Sequence, residues 1–391
     1  MMVFNRRTLE PAIVFQFPKE IIEEIFLRLP IKSLGKLRAV CKSWNSLIQT
    51  STFIHNHLSR NQNQNQILLI QATVFLEGTD HDLFSLHLDN PPFDVYSNYK
   101  LINNPFVAYN NAHETSPKYK RDVYRELRRV HVVGTCNGLV CLVSQSDHSA
   151  LIWNPCIRKY VMLTPNISRS EIKSYGFGYD SRTNNYNVLR IVRYKTEAWK
   201  ISCEIWSLTQ PFWRSLDAVP PVDEFRPTWW AASLCGATHW LHCVADKANS
   251  IVWFDMSSEV FGEMMIPQVL RKENVIISRY MNSLGLYEYP EFDEGQPLNM
   301  WVMKEYGVVE SWAKLFTIQL PGKQVILRGF RNNGEAVITC LAKSEYPQIL
   351  LNPKTNDIGD FQTNGYDSYD CEVAPFVETL VLIDQPHAIS C

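Results

Sequence analysis

Residues 17–58 read FPKEIIEEIFLRLPIKSLGKLRAVCKSWNSLIQTSTFIHNHL, and this stretch decides how the chain is organised. Pro18 sits where a helix can begin, because the N–H it lacks is one that a first turn leaves unpaired anyway. Ile21, Ile22, Ile25, Phe26 and Leu29 then recur at helical period as one apolar stripe. Glu20, Glu23 and Glu24 hold the opposite face, close to the positive end of the helix. Pro30 stops this helix. Ser33 is placed as N-cap of a second one, with the stripe Leu34, Leu37, Val40 and Cys41 carried on by Trp44, Leu47 and Ile48. A third short helix is expected from about Thr52 to Leu58, bearing Phe53 and Ile54. So short a segment buries too little surface for a core of its own. Its stripe therefore needs cover, either from the rest of the chain or from another polypeptide.

Outward from this module, residues 61–66 read NQNQNQ, a polar stretch expected to join two domains. Beyond it, apolar segments alternate with turn clusters, and a repeat emerges on alignment. LIWNP, EIWSL, VWFDM, MWVMK and ILLNP place Trp153, Trp206, Trp253, Trp301 and Leu351 at separations of 53, 47, 48 and 50 residues. Each is followed by a polar turn and a second aromatic: Tyr160, Trp213, Phe261, Trp312 and Phe361. A weaker first copy is DLFSLHLDN at 82–90. A period near fifty with several strands per unit implies propeller blades, about six of them. The expected fold is α+β in two parts: a three-helix unit at 17–60 after a tail at 1–16, and an all-β ring at 67–391. VETLVLI (377–383) is expected to pair with NQILLI (65–70) and close that ring.

The 391 residues are 46% hydrophobic and 12% aromatic, enough for a sizeable core, and the net charge is −2. That balance excludes a global attraction to nucleic acid or acidic membranes, although the first sixty residues hold nine Lys/Arg against four Glu. No run of eighteen apolar residues occurs, and the N-terminus lacks the apolar stretch of a signal peptide, so a cytoplasmic or nuclear setting without a membrane is expected. The ten cysteines then read as reduced thiols packed in strands. Catalytic and metal motifs are missing: there is no Gly-x-Ser-x-Gly, P-loop, His-Glu-x-x-His or Cys-x-x-Cys. GFGYD (176–180) reads as a tight turn, and His239 and His242, three apart in a strand, face opposite ways. No cofactor, metal or catalytic residue is expected. The basic run KYKRDVYRELRR (118–129) is broken by Asp122 and Glu126 and reads as a solvated segment between blades. Loops on one face are the expected recognition sites. Arg226, Trp229 and Trp230 in RPTWWAA, with Tyr287 and Tyr289 in LYEYPEF, are the aromatic and arginine candidates for a bound protein. Packing between blades is the competing role for each.

The N-terminal run resembles an F-box: FP at 17–18, RLP at 28–30, KSL at 32–34, VCKSW at 40–44, LI at 47–48 and F-I-x-x-H-L at 53–58. The remainder resembles the F-box-associated interaction domain of plant F-box proteins. The pieces are GTCNGLVCL (134–142), IWNPCIRK (152–159), YGFGYDSRTNNYNVLRIV (175–192), GATHWL (236–241), WFDMSSEVFGEM (253–264), MWVMKEYGVVESWAKL (300–315) and LLNPKTN (350–356). The resemblance implies a receptor subunit of a cullin–RING ubiquitin ligase, bound to a Skp-type adaptor by its F-box and to a protein target by its β domain. It implies an adaptor face of Phe17, Pro18, Ile21, Ile25, Leu29, Pro30, Leu34, Leu37, Val40, Cys41 and Trp44. Phe17 departs from the family's usual Leu, and Gly35 inside the second helix costs about 1 kcal/mol against Ala. Narrower roles are also open: the pollen S-locus F-box proteins share this layout, and an F-box protein can bind targets outside a ligase.

Overall fold

The computed structural model describes residues 17–62, 67–76, 79–94, 130–144, 149–163, 170–195, 199–222, 231–234, 236–245, 247–288, 296–341, 347–361 and 370–390. Four helices come first: α1 (Lys19–Phe26), α2 (Ile31–Leu37), α3 (Lys42–Ile48) and α4 (Ser51–Gln62). Pro18 and Pro30 are the N-caps of α1 and α2, so Ser33 lies inside a helix instead of capping it. The expected second helix is in fact two. Cys41 adopts an extended conformation (φ −157°, ψ 161°) and caps α3, which breaks the stripe after Val40. The third expected helix is longer than expected and takes in Asn61 and Gln62, so the polar joint cannot begin before residue 63.

The β domain opens with the hairpin β1 (Ile67–Leu76) and β2 (Thr79–Leu88). Four antiparallel blades follow: β3–β6 (Val130–Cys136, Leu139–Ser144, Ala150–Asn154, Lys159–Leu163), then β7–β10 (Ser170–Asp180, Asn185–Lys195, Trp199–Ser207, Gln210–Leu216). The next two are β11–β14 (Ala231–Leu234, Ala237–Val244, Lys247–Asp255, Val260–Met265) and β15–β18 (Val275–Tyr280, Ser283–Glu288, Leu298–Met303, Trp312–Ile318). The meander β19–β22 (Gln324–Phe330, Ala336–Leu341, Gln348–Leu351, Ile358–Asp360) joins a larger sheet through β23 (Asp370–Phe376), and β24 (Ile389–Ser390) adds to the edge of β6. That seven-stranded sheet is a composite: β19–β22 meets the trio β23-β1-β2 at a single parallel bridge, Gly329↔Val373. The first strands of successive blades pack together, β3 against β7 and β11 against β15, which makes a ring.

The repeat seen in sequence is the outer hairpin of each blade. Trp153 pairs with Tyr160 across β5–β6 and Trp206 with Trp213 across β9–β10, while Phe254 faces Phe261 one residue away from Trp253. Alternation puts such residues on the inner side, where Trp153 and Trp206 are buried. The weak copy at 82–90 falls on β2, the outer strand of the trio. GFGYD lies within β7, not in a turn. Its glycines are there for close approach: a Cβ on Gly176 would stand 2.9 Å from the Trp240 ring, and one on Gly178 2.9 Å from Met256 of the next blade. The turn itself is Asp180–Asn185, where the Asp180 carboxylate accepts from the N–H groups of Arg182 and Thr183.

Closure uses a different segment from the one expected. β23 pairs with β1 from Ile67↔Phe376 to Thr73↔Asp370, and residues 377–383 form a strap beyond it. A buried ion pair reinforces the seam. Arg331 Nε donates to Asp89 Oδ1 at 2.6 Å and Arg331 Nη2 to the Asp89 carbonyl at 2.9 Å. Asn332 gives Asp89 Oδ2 two further bonds, from its backbone N and from Nδ2.

The strap ties the helices to the ring. Asn154 Nδ2 donates to the carbonyls of Thr379 (2.9 Å) and Val381 (2.7 Å), while its Oδ1 accepts from the Cys156 N–H. The β3–β4 turn is Asn137-Gly138, both at positive φ, and a Cβ on Gly138 would come within 2.2 Å of the Val377 carbonyl. Gln62 Nε2 at the end of α4 donates to Asn137 Oδ1. One core then runs through the junction: Phe26, Ile31, Leu34, Ile48 and Phe53 share it with Leu69, Phe84, Trp153 and Leu380.

Candidate functional site

The apolar residues of the helical module divide between two sides. Ile22 and Phe26, one turn apart, point to the junction core, and the Trp44 ring meets Phe26 edge-on at 5.1 Å. Ile21 and Ile25, rotated by one position, point away and are 47% and 46% exposed. Phe17 (59%) and Val40 (61%) are also exposed. So are Pro18, Pro30 and Cys41, which leaves an uncovered face on the side away from the ring. The Cys41 thiol is held below its usual range by the Ser43 hydroxyl at 3.1 Å and by the backbone N–H groups of Trp44 and Ser43.

Of the eleven positions implied for the adaptor face, those seven are open. Leu29, Leu37 and Trp44 are half-buried and straddle the two sides. Leu34 is sealed: it has no exposed surface, because Ile31 and Leu34, three residues apart on α2, turn together into the junction core. It supports the module from inside and cannot touch a docked partner.

His57 has a role the sequence did not reveal. Its Nε2–H donates to the Leu29 carbonyl at 2.9 Å, and its Nδ1 accepts from Asn61 Nδ2 at 3.2 Å. Asn61 continues to the Glu378 carbonyl of the strap. Burial pushes the His57 pKa down, which keeps the ring neutral and preserves this tautomer. The sequence signal was its position midway between Phe53 and Asn61 at a four-residue spacing, one line down the inner face of α4.

On the ring, Tyr287 is not a surface contact. It lies on β16 and is buried with Leu298, Met300 and Phe316 between blades. Arg226, Trp229, Trp230 and Tyr289 lie outside the described residues, as does the basic run at 118–129. No cluster of three or more His, Cys, Asp or Glu side chains suited to a metal exists among the described residues. His239 is spent on structure: Nδ1–H donates to the Ala232 carbonyl (3.0 Å), and Nε2 accepts from the Tyr306 hydroxyl (2.7 Å). Burial lowers its pKa to about 4 and raises that of Cys203 to about 12, so one stays neutral and the other a thiol. Cys41, Cys136, Cys141, Cys203 and Cys340 are free thiols. No described helix is long and apolar enough to cross a membrane.

Comparison with known proteins agrees with this division. The F-box domain family matches residues 14–56, and the family described as F-box associated beta propeller domain matches residues 93–369. The chain is similar to the F-box/kelch-repeat protein At3g23880 of Arabidopsis thaliana, 30% identical over 322 residues, covering 77% of this chain and 79% of that one. It is also similar to the F-box protein CPR1 of the same plant, 28% identical, covering 78% of this chain and 73% of the relative. The two matched families fall on the helical cap and on the ring of antiparallel blades, and the chain belongs to the F-box proteins that carry an F-box-associated β-propeller.

Proposed function

We propose that this protein is the substrate-receptor subunit of an SCF-type cullin–RING ubiquitin ligase. The face of Phe17, Ile21, Ile25 and Val40 docks on a Skp-type adaptor, and the propeller holds a protein target. The observation that carries this reading is the open apolar face on the side of the F-box away from the ring. Four large apolar side chains grouped on one small module are the kind of patch that marks an interaction site. The mechanism is proximity. A strap and a shared core fix the two modules to each other, so a target on the ring is kept near whatever the adaptor recruits, and the gain is in effective concentration. No residue of the chain takes part in bond making or breaking.

The test is co-purification of the full chain with a Skp-type adaptor, followed by reconstituted ubiquitination. Wild type should be retained in a stoichiometric complex. Ile21→Asp with Ile25→Asp should abolish retention while the thermal midpoint of the chain stays within a degree. Failure of the wild type to hold the adaptor overturns the proposal.

A further inference from the structure

Between α2 and the β5–β6 turn lies a groove of about 350 Å³, walled on its third side by the strap. Its floor is apolar: Ile31 from the helix, Ile157 from the blade, and Leu380 and Ile383 from the strap. Four cations surround it, namely Lys32, Arg38, Arg158 and Lys159, and no carboxylate among the described residues lines it. Arg38 Nε bonds Asn45 Oδ1, and Lys159 Nζ bonds the Ile383 carbonyl. None of the four meets a carboxylate among the described residues.

Two details favour a ligand over an accident of surface charge. Arg158 stands at φ 53°, a conformation that disfavours branched and long side chains alike. The same place in the β13–β14 and β21–β22 turns holds Glu259 (φ 57°) and Asn356 (φ 58°), so the turn does not itself demand a cation. Above the floor, Gly35 has no atom within 4 Å of where its Cβ would be, although α2 would be more stable with almost any other residue. The helix leaves this space open at a cost to itself.

We propose that the groove binds a small organic phosphate, its apolar body on the Ile31–Ile157–Leu380–Ile383 floor and its dianionic head among the four cations. The volume is that of a small-molecule site. Guanidinium groups on two different elements suit phosphate oxygens, which accept paired N–H donors. Such a ligand touches the F-box and the propeller at once and would stiffen their junction. This inference is independent of the ligase reading, since its readout is binding to the chain itself.

The test is calorimetric titration of the full chain with 1-naphthyl phosphate, against neutral 1-naphthol, inorganic phosphate and an acidic decapeptide. The expected result is saturable binding of naphthyl phosphate that weakens as salt is raised, with at least tenfold weaker binding of naphthol. Arg38→Gln with Arg158→Asn should reduce affinity at least tenfold; Asn tolerates the left-handed backbone at 158. Gly35→Leu fills the space without altering charge and should block binding in a chain whose melting midpoint is not lowered. Equal binding of naphthol and naphthyl phosphate, binding of the peptide alone, or undiminished binding by Gly35→Leu would each overturn the proposal.

Discussion

Replacing Asp89 with Ala should strike the seam of the ring harder than any surface change. The carboxylate is buried and accepts from Arg331 Nε, from the Asn332 backbone and from Asn332 Nδ2, while Arg331 also donates to the Asp89 carbonyl and over Phe93 stacks its guanidinium. Removing one partner of a buried pair costs about 3–5 kcal/mol, because the other charge is left without compensation. Glu335 also contacts Arg331 and softens the loss, so the lower end, about 3 kcal/mol, is expected. Unfolding entropy of about 2.1 cal/mol/K per residue over 391 residues gives about 0.8 kcal/mol/K. The thermal midpoint should therefore fall by about 4 °C. Asp89→Ala with Arg331→Met removes both charges and should recover more than half of the loss. Differential scanning calorimetry of the three chains decides the matter. A shift below one degree for the single variant, or a double variant less stable than the single one, would refute the assignment of the seam to this pair.

Leu34→Asp should unfold the F-box, whereas Ile21→Asp should leave circular dichroism unchanged; the contrast tests the two-sided division of the module. Gly35→Ala should stabilise by about 1 kcal/mol, read as a small rise in midpoint. Asn154→Ala releases two strap carbonyls and should cost about 1–3 kcal/mol, with faster proteolysis of residues 377–390. Acid should weaken the fold through His239. Its folded pKa of about 4 lies below the ordinary 6.5, so its contribution is complete above pH 6.5 and is lost as pH falls toward 4. The loss is about 3 kcal/mol, and midpoint-against-pH curves for wild type and His239→Gln should differ in slope across that window.

The blades were legible because the outer hairpins of a propeller repeat their aromatic pairs at a steady interval, so Trp153/Tyr160 and Trp206/Trp213 are visible as a period without any structure. The closing segment was harder to read. An apolar run such as 377–383 has the composition of a strand, yet here it is a buried strap, and hydrophobicity alone does not separate the two. GFGYD misled for a related reason: glycine marks turns, but it also marks strands against which a neighbour packs closely. Within the F-box, Ile21/Ile25 and Ile22/Phe26 form adjoining stripes about 100° apart on the helix. Sequence merges them into one face, and only packing leaves the first exposed and turns the second to the ring. Leu34 followed the same logic to the wrong side, and Tyr287 showed that one member of an aromatic cluster can belong to the interior.

The trio that completes the ring joins β1 to β23, three hundred residues downstream, and the strap follows directly after. During synthesis the β1–β2 hairpin must therefore wait with the β1 edge unpaired until the last part of the polypeptide emerges. A chain cut short near residue 369 would lose its seam and its neck together, and with them Phe376, Leu380 and Ile383, against which the F-box helices pack. Early termination here should therefore loosen the helical module as well as open the ring.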